Sequence, residues 1–231
     1  DLVRSRGLGD VYKRQAMHPY YETGWSRNLV YPHIGFDEMH FIDYFDQTKI
    51  LREYITDQEL YDKIIKRYEN RKNNEKLFFM GITMQNHGGY TETYDNFPEN
   101  YYKVGRSYTD ANQYLSLVHE SDEAVKNLIS YFSKVDDPVE IIFFGDHQPS
   151  LNSNFYPILN GKGLTGLTED ELEKLYTVPF FIWTNYDTPE ETVDITSLDY
   201  LSTMALERAG IELPAYNKLS LIHISEPTRP Y

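Results

Sequence analysis

An α/β fold with a mostly parallel sheet and helices on both faces is predicted by three features of the 231-residue sequence. Short runs of bulky apolar residues alternate with longer segments whose apolar residues recur at helical spacing. Those runs lack the apolar/polar alternation of a half-exposed strand, which suits strands covered on both sides. No internal repeat or low-complexity tract interrupts the order.

Each element has its own signal. The segment HPYYETGWSRNLVYPHIGFDEMHF, His18 to Phe41, reads as a loop carrying His18, Trp25 and Arg27, followed by an aromatic-rich stretch. Thr56 or Asp57 then caps a helix reaching about Lys72, with Leu60, Ile64 or Ile65, and Tyr68 on one face. KLFFMGITMQ, Lys76 to Gln85, is a strand apolar on both faces. After a loop rich in Gly, Asn, Pro and Tyr, a second and longer amphipathic helix is marked by Ala111, Leu115, Val118, Val125, Ile129 and Phe132. VEIIFFGD, Val139 to Asp146, is the next strand, and Thr168 to Tyr176 opens like a short helix with a cap and early acids. VPFFIWTN, Val178 to Asn185, is a third strand, and Ser197 to Ala209 a helix that Gly210 ends.

Composition narrows the function. With 40% hydrophobic and 15% aromatic residues the chain can fill a sizeable core. It has no Cys, which removes disulfides and thiolate metal sites. A net charge of −14 argues against nucleic acid as a partner, because phosphate backbones require clustered Lys and Arg. No apolar run approaches the roughly 20 residues of a membrane-spanning helix, and no secretory signal is legible.

The two ends differ from the middle. Residues 1–15, DLVRSRGLGDVYKRQ, and 220–231, SLIHISEPTRPY, belong to no obvious element and resemble translated sequencing-library adapter. Residues 16–219 are therefore expected to be the natural segment, with 1–15 and 220–231 as non-native tails. The tails hold five Lys/Arg and three Asp/Glu, so of 22 basic and 36 acidic residues the middle keeps 17 and 33, a charge of −16.

In open α/β sheets, ligands bind beyond the carboxyl ends of the strands. Asp146 and His147 stand there, after a glycine that lets the backbone turn, and MQNHGGY, Met84 to Tyr90, repeats the arrangement with Asn86 and His87. Both strand ends are expected to point into one crevice. A carboxylate and a neutral imidazole suit Zn²⁺, Mn²⁺ or Mg²⁺. The competing reading makes Asp146 a turn cap and His147 a local packing residue. In the first cluster, Arg27 could clamp a phosphate or sulfate oxygen while Trp25 stacks on the apolar part of a substrate; the alternative is a surface Arg beside a core Trp. His33, His40 and His119 read as packed or surface residues, Asp122 as exposed or as support for the site, and Tyr90, Tyr94, Tyr101 and Tyr102 as the rim of a wet groove or as simple packing.

HPYYETGWSRNLVYPHIGF, ITMQNHGGY and FFGDHQPSL, in this order, resemble the extracellular catalytic domain of lipoteichoic acid synthases and related phosphoglycerol transferases. That family belongs to the sulfatase branch of the alkaline phosphatase superfamily, so the resemblance implies an incomplete fold of that kind over 16–219. It implies that Asp146 and His147 ligate Mn²⁺ or Mg²⁺, that His87 faces the transferred phosphate as a catalytic and substrate-binding residue, and that His18, Trp25 and Arg27 hold a glycerol phosphate head group. The implied partners are a phosphatidylglycerol-like lipid and a glycerol phosphate polymer or glycan acceptor, at the extracellular face of a bacterial membrane. Membrane contact would come from helices ahead of the segment. The family's threonine nucleophile and upstream acidic ligand have no counterpart in 16–219, so this chain is expected to hold half an active site, binding metal weakly and turning over nothing alone. Two other readings stay open: a sulfatase or phosphodiesterase hydrolase, and a non-catalytic binding domain.

Overall fold

The computed structural model describes residues 12–97 and 108–224. They fall into two compact units, one built from positions up to 131 together with 147–177, the other from 132–146 together with 178 onward. Tyr101 and Tyr102 lie outside the described residues.

The first unit opens on strand β1 (Tyr12–Met17), which runs parallel to both its neighbours, β2 (Glu38–His40) and β5 (Lys76–Gly81). The order β2-β1-β5 makes β1 central, and its last residues are the least accessible, with Ala16 at 2% and Met17 at 0% exposure. Helix α1 (Arg27–Ile34) connects β1 to β2. A two-stranded antiparallel hairpin, β3 (Ile50–Leu51) and β4 (Tyr54–Ile55), follows. Helix α2 (Asp57–Glu69) is capped by the Thr56 hydroxyl, which accepts from the Glu59 amide. Its Leu60 and Ile64 press on the backbone of Gly81, where a Cβ would meet them at about 3.5 and 3.4 Å.

Helix α3 (Thr109–Phe132) is the longest element. Its buried face keeps Ala111, Val125 and Phe132 of the predicted stripe, but Val118 is 38% exposed, and Leu117, Asn112, Gln113, Ser116 and Ser121 are buried as well. Polar residues on the inner face, each with bonds to satisfy, widen the buried face beyond the stripe that apolar periodicity marks. Short helices α4 (Tyr156–Asn160) and α5 (Glu169–Lys174) complete the unit, the second through a Thr168/Glu171 capping box.

In the second unit, β6 (Glu140–Phe144) and β7 (Phe180–Thr184) pair antiparallel, with Ile142 opposite Ile182 and Phe143 stacked on Phe181. Helix α6 (Leu198–Arg208) is capped by Ser197 and followed by α7 (Ala215–Ile224), where the Asn217 amide donates to the fully buried Thr203 hydroxyl at 2.8 Å.

The result is a mixed α/β protein with a parallel sheet and helices, as expected. Three features differ from the sequence reading. β6 and β7 form an antiparallel pair, which their similar apolar composition does not reveal. β5 and β6 are not buried on both faces: Phe78 is 40% and Phe144 43% exposed. Among the described residues β5 ends the order β2-β1-β5. The regular elements also pass the limits of 16–219, since β1 begins at Tyr12 and α7 runs to Ile224.

Candidate functional site

Four of the six residues singled out from the sequence meet in the first unit. His18 follows β1, where its amide donates to the His40 carbonyl and its own carbonyl accepts from the Tyr20 amide. Its ring is fully buried. Nδ1 lies 3.0 Å from the Ile82 carbonyl, which can only accept, so Nδ1 carries the hydrogen and Nε2 the lone pair. That buried Nε2 finds no hydrogen-bond partner among the described residues. Burial, with a smaller contribution from the Arg27 charge and against the Ile82 bond, pushes the ring's pKa down to about 4, so it is neutral near pH 7.

Trp25 stands edge-on to His18, ring centroids 6.0 Å apart, and edge-on to His87 at 5.8 Å. Trp25 and Ser26 both adopt left-handed backbone, φ 54° and 56°, which is strained for residues with a Cβ. The kink ends a 3-10 turn (Gly24–Ser26), and Arg27 is the first residue of α1 rather than part of a loop. Pro32 inside the helix disguised it in the sequence, because a proline removes one backbone donor and usually marks a break. Arg27 Nε donates to the Tyr31 hydroxyl at 2.9 Å and Nη1 to the Gly24 carbonyl at 3.2 Å, while the guanidinium carbon lies 4.4 Å from the Trp25 ring centroid. The head group is thereby locked, and the Nη1/Nη2 end is left to meet an anion end-on. Trp25 is 58% exposed, so the bland alternative of a core tryptophan is not what forms.

His87 sits in the turn after β5, its amide bonded to the Met84 carbonyl at 2.9 Å. Tyr54 Oη lies 3.3 Å from its Nδ1. Arg52 donates to the His87 carbonyl at 2.7 Å and to the Gln85 carbonyl at 2.9 Å. Below the turn a buried polar network holds it to α2 and α3. Gln85 Oε1 accepts from the Asp57 amide, the Asn86 amide donates to Ser121 Oγ at 2.9 Å, and Ser121 Oγ donates to Asp57 at 2.5 Å. Burial lifts the Asp57 carboxyl to about 6, with the Ser121 and Gln85 bonds opposing the shift.

Sequence reasoning missed Tyr20, Tyr31, Arg52, Tyr54, Asp57 and Ser121. The Tyr20 ring packs 5.9 Å from Trp25 and 6.2 Å from Tyr54, closing the aromatic wall. Of the α3 residues, exposed Asp122 is not the one that supports the site; its neighbour Ser121 is. Tyr20 and Tyr31 lay within the quoted aromatic stretch, but nothing in the spacing of Arg52 or Ser121 distinguishes them from surface residues. His40 packs on Tyr44 at 4.0 Å and lies 3.6 Å from Glu38, the packed role expected of it.

Asp146 and His147 directly follow β6 and Gly145, whose amide bonds to the Pro179 carbonyl. Asp146 is the last residue of its segment of the second unit, and His147 begins a segment of the first. The His147 Nδ1 lies 2.9 Å from the Gln148 carbonyl, so the lone pair falls on Nε2, the nitrogen a metal would take. Carboxylate and imidazole fit a borderline or hard divalent cation by chemistry. Among the described residues, no group of three or more His, Cys, Asp or Glu stands close enough together to hold one. The pair therefore fits only as part of a larger ligand set. No helix among the described residues is long and apolar enough to cross a membrane.

Comparison with known proteins adds the family. The profile described as Sulfatase matches residues 8–211. A protein of Rhizobium meliloti (strain 1021), named for cyclic beta-1,2-glucan modification, is 27% identical over 216 residues, 90% of this chain and 33% of the relative. Lipoteichoic acid synthase of Staphylococcus aureus (strain USA300) is 30% identical over 141 residues, 59% of this chain and 21% of the synthase. The chain thus spans a third or less of either relative. In fold it resembles the Streptococcus pyogenes phosphoglycerol transferase GacH, solved in complex with sn-glycerol-1-phosphate, with a TM-score of 0.74 at 21% identity over 95% of this chain and 57% of the other.

Proposed function

The chain belongs to the sulfatase family, and from that premise we propose that it is part of a metal-dependent phosphoglycerol transferase that moves glycerol phosphate from a phosphatidylglycerol-like lipid to an acceptor outside the cell. The observation that carries the reading is the convergence of His18, Trp25, Arg27 and His87 around one aromatic wall. A generic sulfate ester has no need of a buried imidazole acceptor, whereas glycerol brings hydroxyl donors to satisfy one. Similarity to a phosphoglycerol transferase and to a lipoteichoic acid synthase supports the same substrate class.

Each residue then has a task its geometry suits. Arg27 meets two phosphate oxygens through its Nη1/Nη2 end, held rigid by Tyr31 and Gly24. His18, neutral with its lone pair on Nε2, accepts a hydrogen bond from a glycerol hydroxyl. Trp25 covers the apolar edge of the glycerol. In the transfer, the bond from phosphorus to the diacylglycerol oxygen breaks and one to the incoming hydroxyl oxygen forms. His87 passes a proton to the departing alkoxide or takes one from the incoming hydroxyl. Asp146 and His147 would contribute to holding Mn²⁺ or Mg²⁺, which when bound would neutralise phosphoryl charge and acidify a nucleophilic hydroxyl.

Titration of the 231-residue chain with sn-glycerol 1-phosphate, followed by ³¹P line broadening, tests the reading. Saturable binding lost in Arg27→Ala is expected. Equal broadening in parent and variant would remove it. Inorganic sulfate displacing the ligand at equal concentration would instead favour a sulfate-ester hydrolase.

A further inference from the structure

The β3–β4 hairpin is a conspicuous device with no assigned role. Only two residues, Arg52 and Glu53, separate its strands, and Arg52 takes φ 55°, a left-handed conformation that glycine or asparagine usually supplies in such turns. Three of the four non-glycine residues with positive φ among the described residues are Trp25, Ser26 and Arg52, all at the same site. Strain concentrated there marks over-determined, functional backbone.

The strained turn aims an arginine inward. Arg52 is 5% exposed, and its bonds go to the turn that carries His87. Nη2 donates to the carbonyls of Gln85 (2.9 Å) and His87 (2.7 Å), and Nη1 to the carbonyl of Gly89 (3.2 Å) and to Gln113 Oε1 (3.2 Å). The guanidinium also lies 5.4 Å from the Tyr90 ring and 5.7 Å from the Tyr54 ring. Three alternate carbonyls of a five-residue turn thus face one planar cation, a fork that a single ammonium cannot reproduce. The hairpin is itself held, since the Asn96 amide donates to the carbonyls of Arg52 and Ile50 at 3.1 and 3.3 Å. Two residues along from Arg52, Tyr54 brings its hydroxyl to 3.3 Å from His87 Nδ1, with ring centroids 5.6 Å apart.

We propose that this hairpin is the positioning device of His87, Arg52 fixing the backbone of residues 85–89 and the Tyr54 hydroxyl fixing the imidazole through Nδ1 so that Nε2 is the nitrogen presented to the reacting phosphate. Both are positioning residues, acting through His87. The functional half of the proposal rests on His87 facing the phosphate; the structural half does not.

The test uses the ¹⁵N-labelled 231-residue chain with Arg52→Lys, Tyr54→Phe and His87→Ala variants, reading imidazole nitrogen resonances, amide exchange and sn-glycerol 1-phosphate binding. Tyr54→Phe, the milder change, is expected to move the His87 Nδ1 resonance and leave the His18 signals in place. Arg52→Lys, which keeps the charge, is expected to speed amide exchange at residues 87–89 and weaken ligand binding about tenfold, the scale seen when a positioning partner is lost. His87 nitrogen signals unchanged in Tyr54→Phe, with exchange at 87–89 unchanged in Arg52→Lys, would overturn the proposal. Shifted His87 signals combined with undiminished ligand binding in His87→Ala would keep the clamp and remove the phosphate role of His87.

Discussion

The guanidinium of Arg27 lies 4.4 Å from the centre of the Trp25 ring, and both residues are fixed by the same left-handed kink at Trp25 and Ser26. One short stretch of strained backbone therefore sets the cation and the aromatic plate together.

Replacing Arg27 by Lys keeps the charge and removes the planar fork together with the Tyr31 bond. Affinity for sn-glycerol 1-phosphate is expected to fall by about tenfold or more, roughly 1–2 kcal/mol for a charge-assisted bond. Isothermal titration of the two chains measures it, and equal affinities would show that Arg27 does not touch the anion.

Mn²⁺ binding should be weak and should depend on Asp146 and His147. Titration followed by the electron paramagnetic resonance signal of free Mn²⁺ is expected to show binding that Asp146→Asn and His147→Ala each reduce by about tenfold or more, since few ligands share the load. Binding unaffected by either change would place any cation elsewhere.

Asp57 makes stability depend on pH. Its carboxyl is held up near 6 when folded, above the unfolded value of about 3.9, so the folded state binds the extra proton between these limits. The contribution is present at low pH and is lost as pH rises through 6. Asp57→Asn, which has no proton to lose, should therefore gain stability relative to the parent between pH 4 and 7, on the order of 3 kcal/mol. Urea unfolding at several pH values checks it; a pH-independent difference would mean the carboxyl is ionised throughout.

Leu60 is fully buried where α2 meets Gly81 of β5. Leu60→Ala should cost about 3 kcal/mol of stability by opening a cavity, while Lys66→Ala on the exposed side should cost less than about 0.5 kcal/mol. Comparable losses from both, measured by denaturant midpoint, would contradict the packing.

Much of the fold was legible because single-element signals are local. Thr56 caps α2, Thr168 and Glu171 box α5, and Ser197 caps α6, each by a side chain reaching two or three residues along. β1, β2 and the β3–β4 hairpin were not legible, being short strands whose residues carry no sustained period. α1 hid behind Pro32, and the polar part of the buried face of α3, Gln113 and Ser121 included, carried no apolar signal.

By itself, then, the order of residues determined an α/β alternation and the helix caps, and the resemblance of its motifs to a family named His18, Trp25, Arg27 and His87 as candidates. Tertiary structure alone decided that β6 runs antiparallel to β7, that Arg52 is an internal cation rather than a surface charge, and that Tyr54 and Ser121 serve the His87 turn. These depend on hydrogen bonds between positions 33 residues apart or more, and bonds of that reach are set by how elements pack, leaving no period for a local pattern to display.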